Sequence, residues 1–464
     1  MYDSIYNPED TICAVSTPPG HGGIAVIRLS GKAAMSIADS VWRGVSLTDA
    51  KSHTAHLGMV VDSDGSILDE CVATLFRAPK SYTGEDTVEF SVHGSRWIQK
   101  RIIELLCKAG ARIALRGEFT RRAYSAGHLD LAQAEGVADL IGAGSKAAHD
   151  AALRQMRGGI SQKLEKLRER LLHMASLIEL ELDFSDQEVE FVPRSQLTVL
   201  AEEIEAEINS LYRSFATGAA VKDGFPVAII GPVNAGKSRL LNAILDEDRA
   251  IVSDIPGTTR DVVEDRCEVG DYTIRFLDTA GIRHTEDPIE RIGIGRSHKA
   301  AAEAAVVLYL VDATCPEPSE TVTENLEGVD KSRVILIVNK SDLVDAEAVA
   351  QTFELLGYKA IAASAATGEG VDGILKEVEQ VISGQMSSKD EDDVLITAAR
   401  HADALRLAGE AIREVLATLA DPYIPTDLVA HHLRQTIHHL SSITGAITTP
   451  QILNNIFTSF CIGK

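Results

Sequence analysis

The sequence lacks the features that define several protein classes. Its six cysteines are scattered without a Cys-x-x-Cys pair, so neither a zinc site nor a disulfide framework is expected, and a reducing compartment is favoured. No apolar run approaches the ~20 residues that span a bilayer. Residues 1–10 have neither the basic region nor the apolar core of a secretory signal. We therefore expect a cytoplasmic protein without a membrane-spanning segment.

Positive charge is also scarce. The 464-residue chain has 45 lysines and arginines against 68 aspartates and glutamates, a formal net charge of −23. Such a chain is not expected to coat nucleic acid by electrostatic attraction, although a local basic patch, or a partner that carries one, stays compatible with it. The length is enough for two to four domains, and no internal repeat is visible.

The most specific motif that is present is GPVNAGKS at residues 231–238, which follows an apolar run. A buried strand that enters a glycine turn and opens a helix points several backbone N–H groups at one spot, where a triphosphate fits. Gly231 and Gly236 let the backbone turn and approach oxygen atoms closely. Lys237 is expected to reach the outer phosphates, and Ser238 to ligate Mg²⁺. A phosphate-binding loop is therefore predicted.

Further motifs follow in the order of a guanine-nucleotide site. Residues 278–281 (DTAG) come after a strand-like run and would hold the magnesium shell and sense the γ-phosphate, while Thr259 in the preceding GTT is the second Mg²⁺ hydroxyl. In NKSD at residues 339–342, Asp342 would accept two hydrogen bonds from guanine. Adenine lacks that donor pair and would leave the carboxylate unpaired. Residues 364–365 (SA) would place a backbone N–H near the guanine carbonyl.

These motifs and their neighbours define the predicted nucleotide contacts. They are Asn234, Ala235, Gly236, Lys237, Ser238, Arg239, Ser253, Asp254, Ile255, Pro256, Gly257, Thr258, Thr259, Asp278, Thr279, Ala280, Gly281, Asn339, Lys340, Ser341, Asp342, Ser364 and Ala365. Lys237 and Glu290 are the predicted catalytic residues.

Two common catalytic devices are missing from the nucleotide loops. The position after DTAG, where many small GTPases carry a water-positioning Gln, is Ile282, and no arginine finger is evident. Asn234 and the backbone carbonyls of residues 253–258 could instead hold a monovalent cation. A potassium ion there would bring positive charge to the transition state. Glu290 could orient the attacking water through a second water; the alternative is a solvated helix residue.

Hydrophobic periodicity divides the chain into four parts. Residues 1–123 alternate strand-like and helical runs, and residues 124–222 turn helical. The nucleotide motifs occupy residues 223–384. After a polar, acidic linker the helical period returns over residues 385–464. This order predicts a multidomain α/β plus α protein, in which a Ras-like phosphate-loop GTPase domain is inserted into a discontinuous helical domain.

Several longer motifs carry a family resemblance. They are TPPGHGG at 17–23, YTGED at 82–86, GEFTRRA at 117–123, LDLAQAE at 129–135, PGTTRD at 256–261 and the final CIGK at 461–464. With these motifs the whole chain closely resembles the tRNA-modification GTPases (MnmE, also called TrmE). The resemblance implies a homodimer formed through the N-terminal domain, which is similar to folate-binding modules.

The resemblance also implies a 5-formyl-tetrahydrofolate or related cofactor at that interface. The matching contacts are Arg28, Glu89, His128 and Lys464. His128 stands where the family commonly has Lys, so its charge is weaker at physiological pH. Cys461 carries the family's C-terminal thiol; a covalent role is one option, but no Cys–His pair is readable from the sequence.

For the nucleotide site, the resemblance implies potassium bound by Asn234, Ser253, Ile255 and Thr258, beside Mg²⁺ on Ser238 and Thr259, and it favours a water-orienting role for Glu290. It further implies a flavoprotein partner (MnmG, also called GidA). Together the two proteins would add a carboxymethylaminomethyl or aminomethyl group to carbon 5 of the wobble uridine of certain tRNAs. Two rival interpretations remain: a ribosome-assembly GTPase, and a purely regulatory GTP switch without modification chemistry.

Overall fold

The structure is a computed structural model that describes residues 6–183, 193–246, 265–277, 299–386, 394–421 and 423–463. The chain divides into two compact units. The first comprises residues 1–138, 156–172 and 437–464, and the second comprises residues 139–155 and 173–436.

Thirteen strands and fourteen α-helices lie within the described residues. The strands are β1 (Ile12–Val15), β2 (Gly22–Ser30), β3 (Trp42–Arg43), β4 (Thr54–Val61), β5 (Ile67–Phe76), β6 (Thr87–Gly94), β7 (Arg112–Ile113), β8 (Phe225–Ile230), β9 (Arg266–Val269), β10 (Tyr272–Phe276), β11 (Val306–Asp312), β12 (Val334–Asn339) and β13 (Lys359–Ala363). The helices are α1 (Ala34–Ser40), α2 (Arg96–Lys108), α3 (Glu118–Ser125), α4 (Leu131–Gly142), α5 (Lys146–Met156), α6 (Gly159–Asp183), α7 (Arg194–Asp223), α8 (Lys237–Asp246), α9 (Ser319–Asn325), α10 (Glu347–Leu355), α11 (Val371–Met386), α12 (Ala399–Ala420), α13 (Thr426–Thr444) and α14 (Pro450–Thr458).

The first unit is built on a seven-stranded sheet in the order β3-β4-β5-β6-β2-β1-β7. Successive side chains of a strand point to opposite faces. In β2, Ile27 and Leu29 are buried with residues of α1 and α2, such as Ile37 and Leu106, in one hydrophobic core. Arg28 therefore points to the other face of the sheet. That face is only partly covered, because Ile24 and Leu57 are 69% and 68% exposed.

Helix α14 leads the C-terminal residues onto this same unit. Thr449 caps the helix by accepting a hydrogen bond from the Ile452 N–H, and Pro450 occupies the first turn. Phe457 and Phe460 pack with Leu131 of α4. The chain then forms an antiparallel bridge between Ile462 and Arg116.

The second unit contains a six-stranded sheet in the order β13-β12-β11-β8-β10-β9. All neighbouring strands are parallel except β9 and β10, which form an antiparallel hairpin. Strand β8 lies between β10 and β11, and apolar side chains are buried on both faces of the sheet. Fully buried parallel strands require near-continuous apolar runs, which these segments have. Ligands of such sheets bind at the carboxyl ends of the strands, where the strand order reverses.

Helical segments of the second unit are joined tightly to this sheet. Only Gly224 separates α7 from β8, and Val221 of α7 packs into the core of the sheet. The chain returns to α7 after the sheet is complete: the Ile396 N–H donates to Ser214 Oγ at 3.1 Å. At the start of α5, the Ala147 N–H donates to the Asp271 carbonyl in the β9–β10 hairpin at 3.0 Å.

The predicted multidomain α/β plus α class is confirmed. An α/β unit, helical segments and a phosphate-loop sheet domain are all present. The boundaries at residues 123, 222 and 384 stay predictions. None of the helices in the described part of the chain has the length and apolar character needed to cross a bilayer.

The crossing of α7 and the returning chain generates a stability prediction. A Cβ on Gly218 would lie 2.2 Å from the backbone oxygen of Ile396. Gly218→Ala should therefore destabilise the protein by about 1–3 kcal/mol, because backbone atoms must shift. Gly384→Ala is the matched control, since Gly384 is also helical and has no atom within 4 Å of an added Cβ. Calorimetry should show a lower melting temperature for Gly218→Ala and an unchanged or higher one for Gly384→Ala. Equal melting temperatures would contradict this account.

Candidate functional site

The predicted phosphate-binding loop joins β8 to α8 at the carboxyl edge of the second unit's sheet. Three of its residues have positive φ angles: Gly231 at 142°, Asn234 at 65° and Gly236 at 104°. Asn is among the few non-glycine residues that tolerate this conformation. The Lys237 ammonium donates to the carbonyl oxygens of Gly231 and Pro232 at 2.9 and 2.8 Å. The loop thus folds around the cation that would attract phosphate oxygens.

Asn339 connects this loop to the predicted base-recognition loops. Its side chain is buried at the end of β12. The amide nitrogen donates to the Ala235 carbonyl at 2.6 Å, and the amide oxygen accepts from the Ala365 N–H at 2.9 Å. A Cβ on Gly236 would lie 2.3 Å from that amide nitrogen, which explains why a glycine stands there. One side chain therefore fixes the spacing between the phosphate and base sides of the site.

Asp342 is held in place by the loop after β13. Its Oδ1 accepts from Ser364 Oγ at 2.6 Å, and the Ser341 N–H donates to the Ala363 carbonyl at 3.1 Å. Ser364 is fully buried, whereas Asp342 is exposed. The carboxylate is thereby oriented at the open edge of the site, where a base would pair with it. The orienting role of the Ser364 side chain was not predicted from the sequence.

Asp312 is a second residue that the sequence motifs missed. It ends β11, directly beside Asn339 in the parallel register. Its carboxylate forms an ion pair with the Lys340 ammonium. Burial alone would raise the pKa of Asp312, but hydrogen bonds from Lys340 and Thr314 outweigh it and hold the pKa below its usual value. The sequence signal for Asp312 was an Asp that directly follows an apolar run, as at position 278.

Part of the predicted site lies outside the described residues. These positions are Ser253, Asp254, Ile255, Pro256, Gly257, Thr258, Thr259, Asp278, Thr279, Ala280, Gly281, Glu290 and Lys464. Their roles, including most of the potassium ligands and one Mg²⁺ ligand, stay predictions. Of the other cation ligands, Asn234 lies in the loop and Ser238 in the first turn of α8.

The first unit brings together two of the predicted folate contacts. Arg28 and Glu89 are direct cross-strand partners on β2 and β6, and Arg28 Nε lies 2.7 Å from Glu89 Oε1. The guanidinium also lies 5.3 Å from the Tyr82 ring and 5.5 Å from the Phe119 ring. Burial raises the pKa of Tyr82, so its hydroxyl stays protonated. Sequence reasoning missed both rings, although each lies in a motif that carried the family resemblance.

The C-terminal residues reach the strand beside this cluster. Ala14 pairs with Arg28, and one residue further along β1, the Val15 oxygen would lie 2.2 Å from a Cβ on Gly463. Gly463 is buried with a φ of 95°, so only glycine suits this close approach. Cys461 is exposed, and a role for its thiol stays a prediction.

His128, the third described folate candidate, lies against a different part of the same unit. Its side chain is exposed. The imidazole ring lies 3.4 Å from the position of a Cβ on Gly84, which belongs to the YTGED loop that also contains Tyr82. The loop therefore has Arg28 near its Tyr82 ring and His128 near its glycine.

A buried ion network fixes the loops around this cluster. The Glu118 carboxylate is fully buried and accepts from Arg112 at 2.7 Å and from Arg122 at 2.9 Å. Arg122 also pairs with Glu85 of the YTGED loop at 2.9 Å. Burial alone would raise the pKa of Glu118, but its hydrogen bonds to Arg112, the Leu115 N–H and Arg122 hold the pKa below its ordinary value of 4.5. Glu118 and Arg122 of the GEFTRRA motif therefore hold α3 against the YTGED loop.

This network predicts a pH-dependent effect of Glu118→Gln. Because the folded-state pKa is depressed, the carboxylate stabilises the fold above about pH 4.5, and this contribution is lost as the pH falls through the folded-state value. The substitution should cost up to about 3 kcal/mol at pH 7, because it leaves the buried Arg122 guanidinium and the partly buried Arg112 guanidinium with less opposing charge. The stability difference should narrow towards pH 4.

Urea unfolding followed by tryptophan fluorescence checks this prediction, because both tryptophans, Trp42 and Trp97, lie in the first unit. Glu104→Gln is the control, since Glu104 pairs with Arg101 at the surface of α2 and should cost below about 1 kcal/mol. A pH-independent difference for Glu118→Gln would contradict the assigned role.

Known proteins and family models are similar to this chain along nearly its whole length. The family model for the MnmE helical domain matches residues 131–461, and the model for the GTP-binding protein TrmE N-terminus matches residues 11–128. The tRNA modification GTPase MnmE of Parabacteroides distasonis is 46% identical over 462 residues, covering 98% of this chain and 100% of that protein. The tRNA modification GTPase MnmE of Cytophaga hutchinsonii is 45% identical over 463 residues, covering 99% of each chain.

Among solved structures, the G domain of the T. maritima FeoB iron transporter is similar to 34% of this chain. The alignment covers 98% of that domain, with 26% sequence identity and a TM-score of 0.26.

Proposed function

Since the chain belongs to the MnmE family of tRNA modification GTPases, we propose that it couples GTP hydrolysis to modification of the wobble uridine of certain tRNAs. In this proposal it acts in the cytoplasm with a flavoprotein partner (MnmG, also called GidA), and the pair adds a carboxymethylaminomethyl or aminomethyl group to carbon 5 of the base. A tetrahydrofolate supplies the one-carbon unit. The observation that carries the GTP assignment is the Asn339 amide, which joins the phosphate loop to the base loops.

For GTP binding, the described residues divide into a phosphate side and a base side. Lys237 and the N-terminus of α8 would hold the phosphates, with Ser238 and Thr259 as Mg²⁺ ligands. Asp342, oriented by Ser364, would accept hydrogen bonds from the guanine ring N–H and exocyclic amine. Adenine would leave this carboxylate unpaired, so GTP is preferred over ATP.

For hydrolysis, a potassium ion held by this chain would take the place of an arginine finger. Asn234, whose backbone is already in the left-handed conformation, would bind the ion together with carbonyl groups of Ser253, Ile255 and Thr258. The cation would offset the negative charge that develops on the phosphates. Glu290 would orient the attacking water through a second water molecule.

The Arg28 cluster is the proposed folate site. A tetrahydrofolate combines a flat ring that has N–H donors with an anionic tail. Glu89 can accept hydrogen bonds from the ring, and Arg28 with Lys464 can pair with the tail. Tyr82 and Phe119 beside Arg28 support the fit, because they supply apolar walls for a flat ligand. His128 is a weaker candidate for the same ligand, since its ring lies against Gly84 and not beside Arg28.

The open face of the first unit's sheet supports a homodimer that encloses this site. Leu57 lies opposite Val72, Val72 opposite Ser91, and Ser91 opposite Val26, so these residues share one face with Arg28. Exposed apolar residues on such a face favour association. A second copy would cover them and close the folate site from solvent.

The potassium proposal predicts faster hydrolysis in one salt. At equal ionic strength, GTP turnover should be at least about 10-fold faster in potassium chloride than in sodium chloride, with association of the nucleotide domains in potassium only. Asn234→Ala should remove this advantage, whereas Asn455→Ala, a change on the exposed side of α14, should retain it. Steady-state phosphate release measures the rates, and small-angle X-ray scattering, which is sensitive to the approach of domains within a dimer, measures the association. Equal rates in the two salts would reject potassium activation.

The folate proposal predicts an effect of Arg28→Gln on cofactor and product. Calorimetric titration with 5-formyl-tetrahydrofolate should show an affinity about 10- to 100-fold lower, because a charge-assisted contact is lost. In cells that lack the native gene, the variant should also fail to restore the modified wobble uridine measured by nucleoside mass spectrometry. Lys32→Gln, which removes a surface pair with Glu9, should behave like the native chain.

Two results would redirect the assignment. A native chain that binds no folate, and whose loss leaves wobble uridine modified, would favour a regulatory switch. If deletion of the gene lowers the amount of ribosomal subunits but leaves the wobble uridine modified, a ribosome-assembly GTPase would be favoured.

A further inference from the structure

The turn that carries Lys340 has a backbone conformation that needs external support. Lys340 has a φ of 71°, in the left-handed region that non-glycine residues seldom adopt. It stands between Asn339, which spans the nucleotide loops, and Asp342, which faces the base. A change of backbone conformation at Lys340 would therefore move Asp342 relative to Asn339.

Asp312 contacts this turn from the neighbouring strand with both carboxylate oxygens engaged. Its Oδ1 accepts from the Thr314 N–H at 2.9 Å and from the Thr314 hydroxyl at 2.6 Å. Its Oδ2 accepts from the Lys340 ammonium at 2.5 Å. The two side chains are 17% and 29% exposed, so the pair is partly shielded from solvent. Such a pair is more directional and less screened than one on an open surface.

The backbone around Asp312 is also tied to the turn. Asp312 lies beside Asn339 in the parallel register, and the Ala313 N–H donates to the Asn339 carbonyl at 3.0 Å. The carboxylate therefore has a fixed position when it meets the Lys340 ammonium. The contact can hold the Lys340 side chain, and through it the left-handed backbone, in one arrangement.

We propose that Asp312 is a positioning residue for guanine recognition: by holding Lys340 it sets the turn that aims Asp342 at the base. This proposal deepens the GTP assignment made above and rests on it. Asp312 itself need not touch the nucleotide. Its effect is expected on the affinity for guanine and on the discrimination between bases, not on the chemical step.

The test compares two diphosphates that differ in one group. Inosine diphosphate lacks the exocyclic amine of guanosine diphosphate, so the ratio of their dissociation constants measures how well Asp342 is aimed at that amine. Asp312→Asn keeps an oxygen for Thr314 but removes the charge that binds Lys340. It should weaken guanosine diphosphate binding about 5- to 20-fold. Inosine diphosphate binding should weaken less, because inosine pairs with Asp342 through the ring N–H alone, so the inosine-to-guanosine ratio of dissociation constants should fall. The turnover number at saturating GTP should stay within about twofold.

Asp330→Asn is the matched control. Asp330 accepts from the Ser332 N–H at 2.9 Å in a comparable local turn, but it precedes β12 at the opposite edge of the sheet. This control should leave both affinities and their ratio unchanged. If the ratio for Asp312→Asn stays at the native value, whether both affinities are unchanged or fall equally, the proposal is overturned. The carboxylate would then be structural only.

A double-mutant cycle keeps the proposal testable if Asp312→Asn proves unstable. Lys340→Gln should lower the ratio by itself, and adding Asp312→Asn should lower it little further, because the two residues act as a unit. Additive losses would overturn the proposal. A native chain that binds neither diphosphate would instead reject the GTP assignment, so the two failures are distinguishable.

Discussion

Loops that follow strands β8, β12 and β13 meet at the buried side-chain amide of Asn339. The amide donates to the Ala235 carbonyl and accepts from the Ala365 N–H, so both of its polar atoms are satisfied away from water. A buried amide without these partners would be costly, and the loops can vary little in position while both bonds persist. The glycine at position 236 follows from the same contact, because no side chain fits beside the amide. The predicted phosphate and base loops are thus parts of one rigid arrangement.

In the first unit, the loops beside Arg28 are held by ion pairs and not by a buried amide. Glu118 lies between Arg112 and Arg122, and Arg122 reaches Glu85, so alternating charges join α3 to the YTGED loop. Each buried charge has an opposite neighbour, which is the condition for burying it at all. Around this frame, Arg28 keeps an ion pair and two aromatic neighbours on the open face of the sheet. Within the same short motifs, Glu85, Glu118 and Arg122 therefore form the frame, whereas Tyr82 and Phe119 lie beside Arg28 at the proposed folate site.

Strands could be predicted from the sequence where a local apolar pattern determines them. Residues 227–230 and 334–338 are apolar runs, and they lie in β8 and β12 because parallel strands buried on both faces need such runs. The apolar residues 360–363 lie in β13, an edge strand that is only partly buried. Contacts between distant residues could not be predicted in this way. Asn339 meets Ala235 across 104 positions, and Gly463 meets Val15 across nearly the whole chain. Asp312 belongs to no motif, and only the register of β11 with β12 places it beside the Lys340 turn. Arg28 and Glu89 were predicted from family resemblance, since neither residue stands out by spacing.

The return of the chain to α7 affects how the protein can be made. Ile396 bonds to Ser214 across 182 positions, and all the strands of the nucleotide sheet are synthesised between them. At roughly 5–20 residues per second, a ribosome needs about 10–40 s to add that stretch. Helix α12 packs against α7 in the folded chain. During this interval α7 has been synthesised but α12 has not, so the apolar side chains of α7 lack that partner. The nucleotide domain can fold in that time, so its completion brings the two helices together and shortens the loop that their pairing must close.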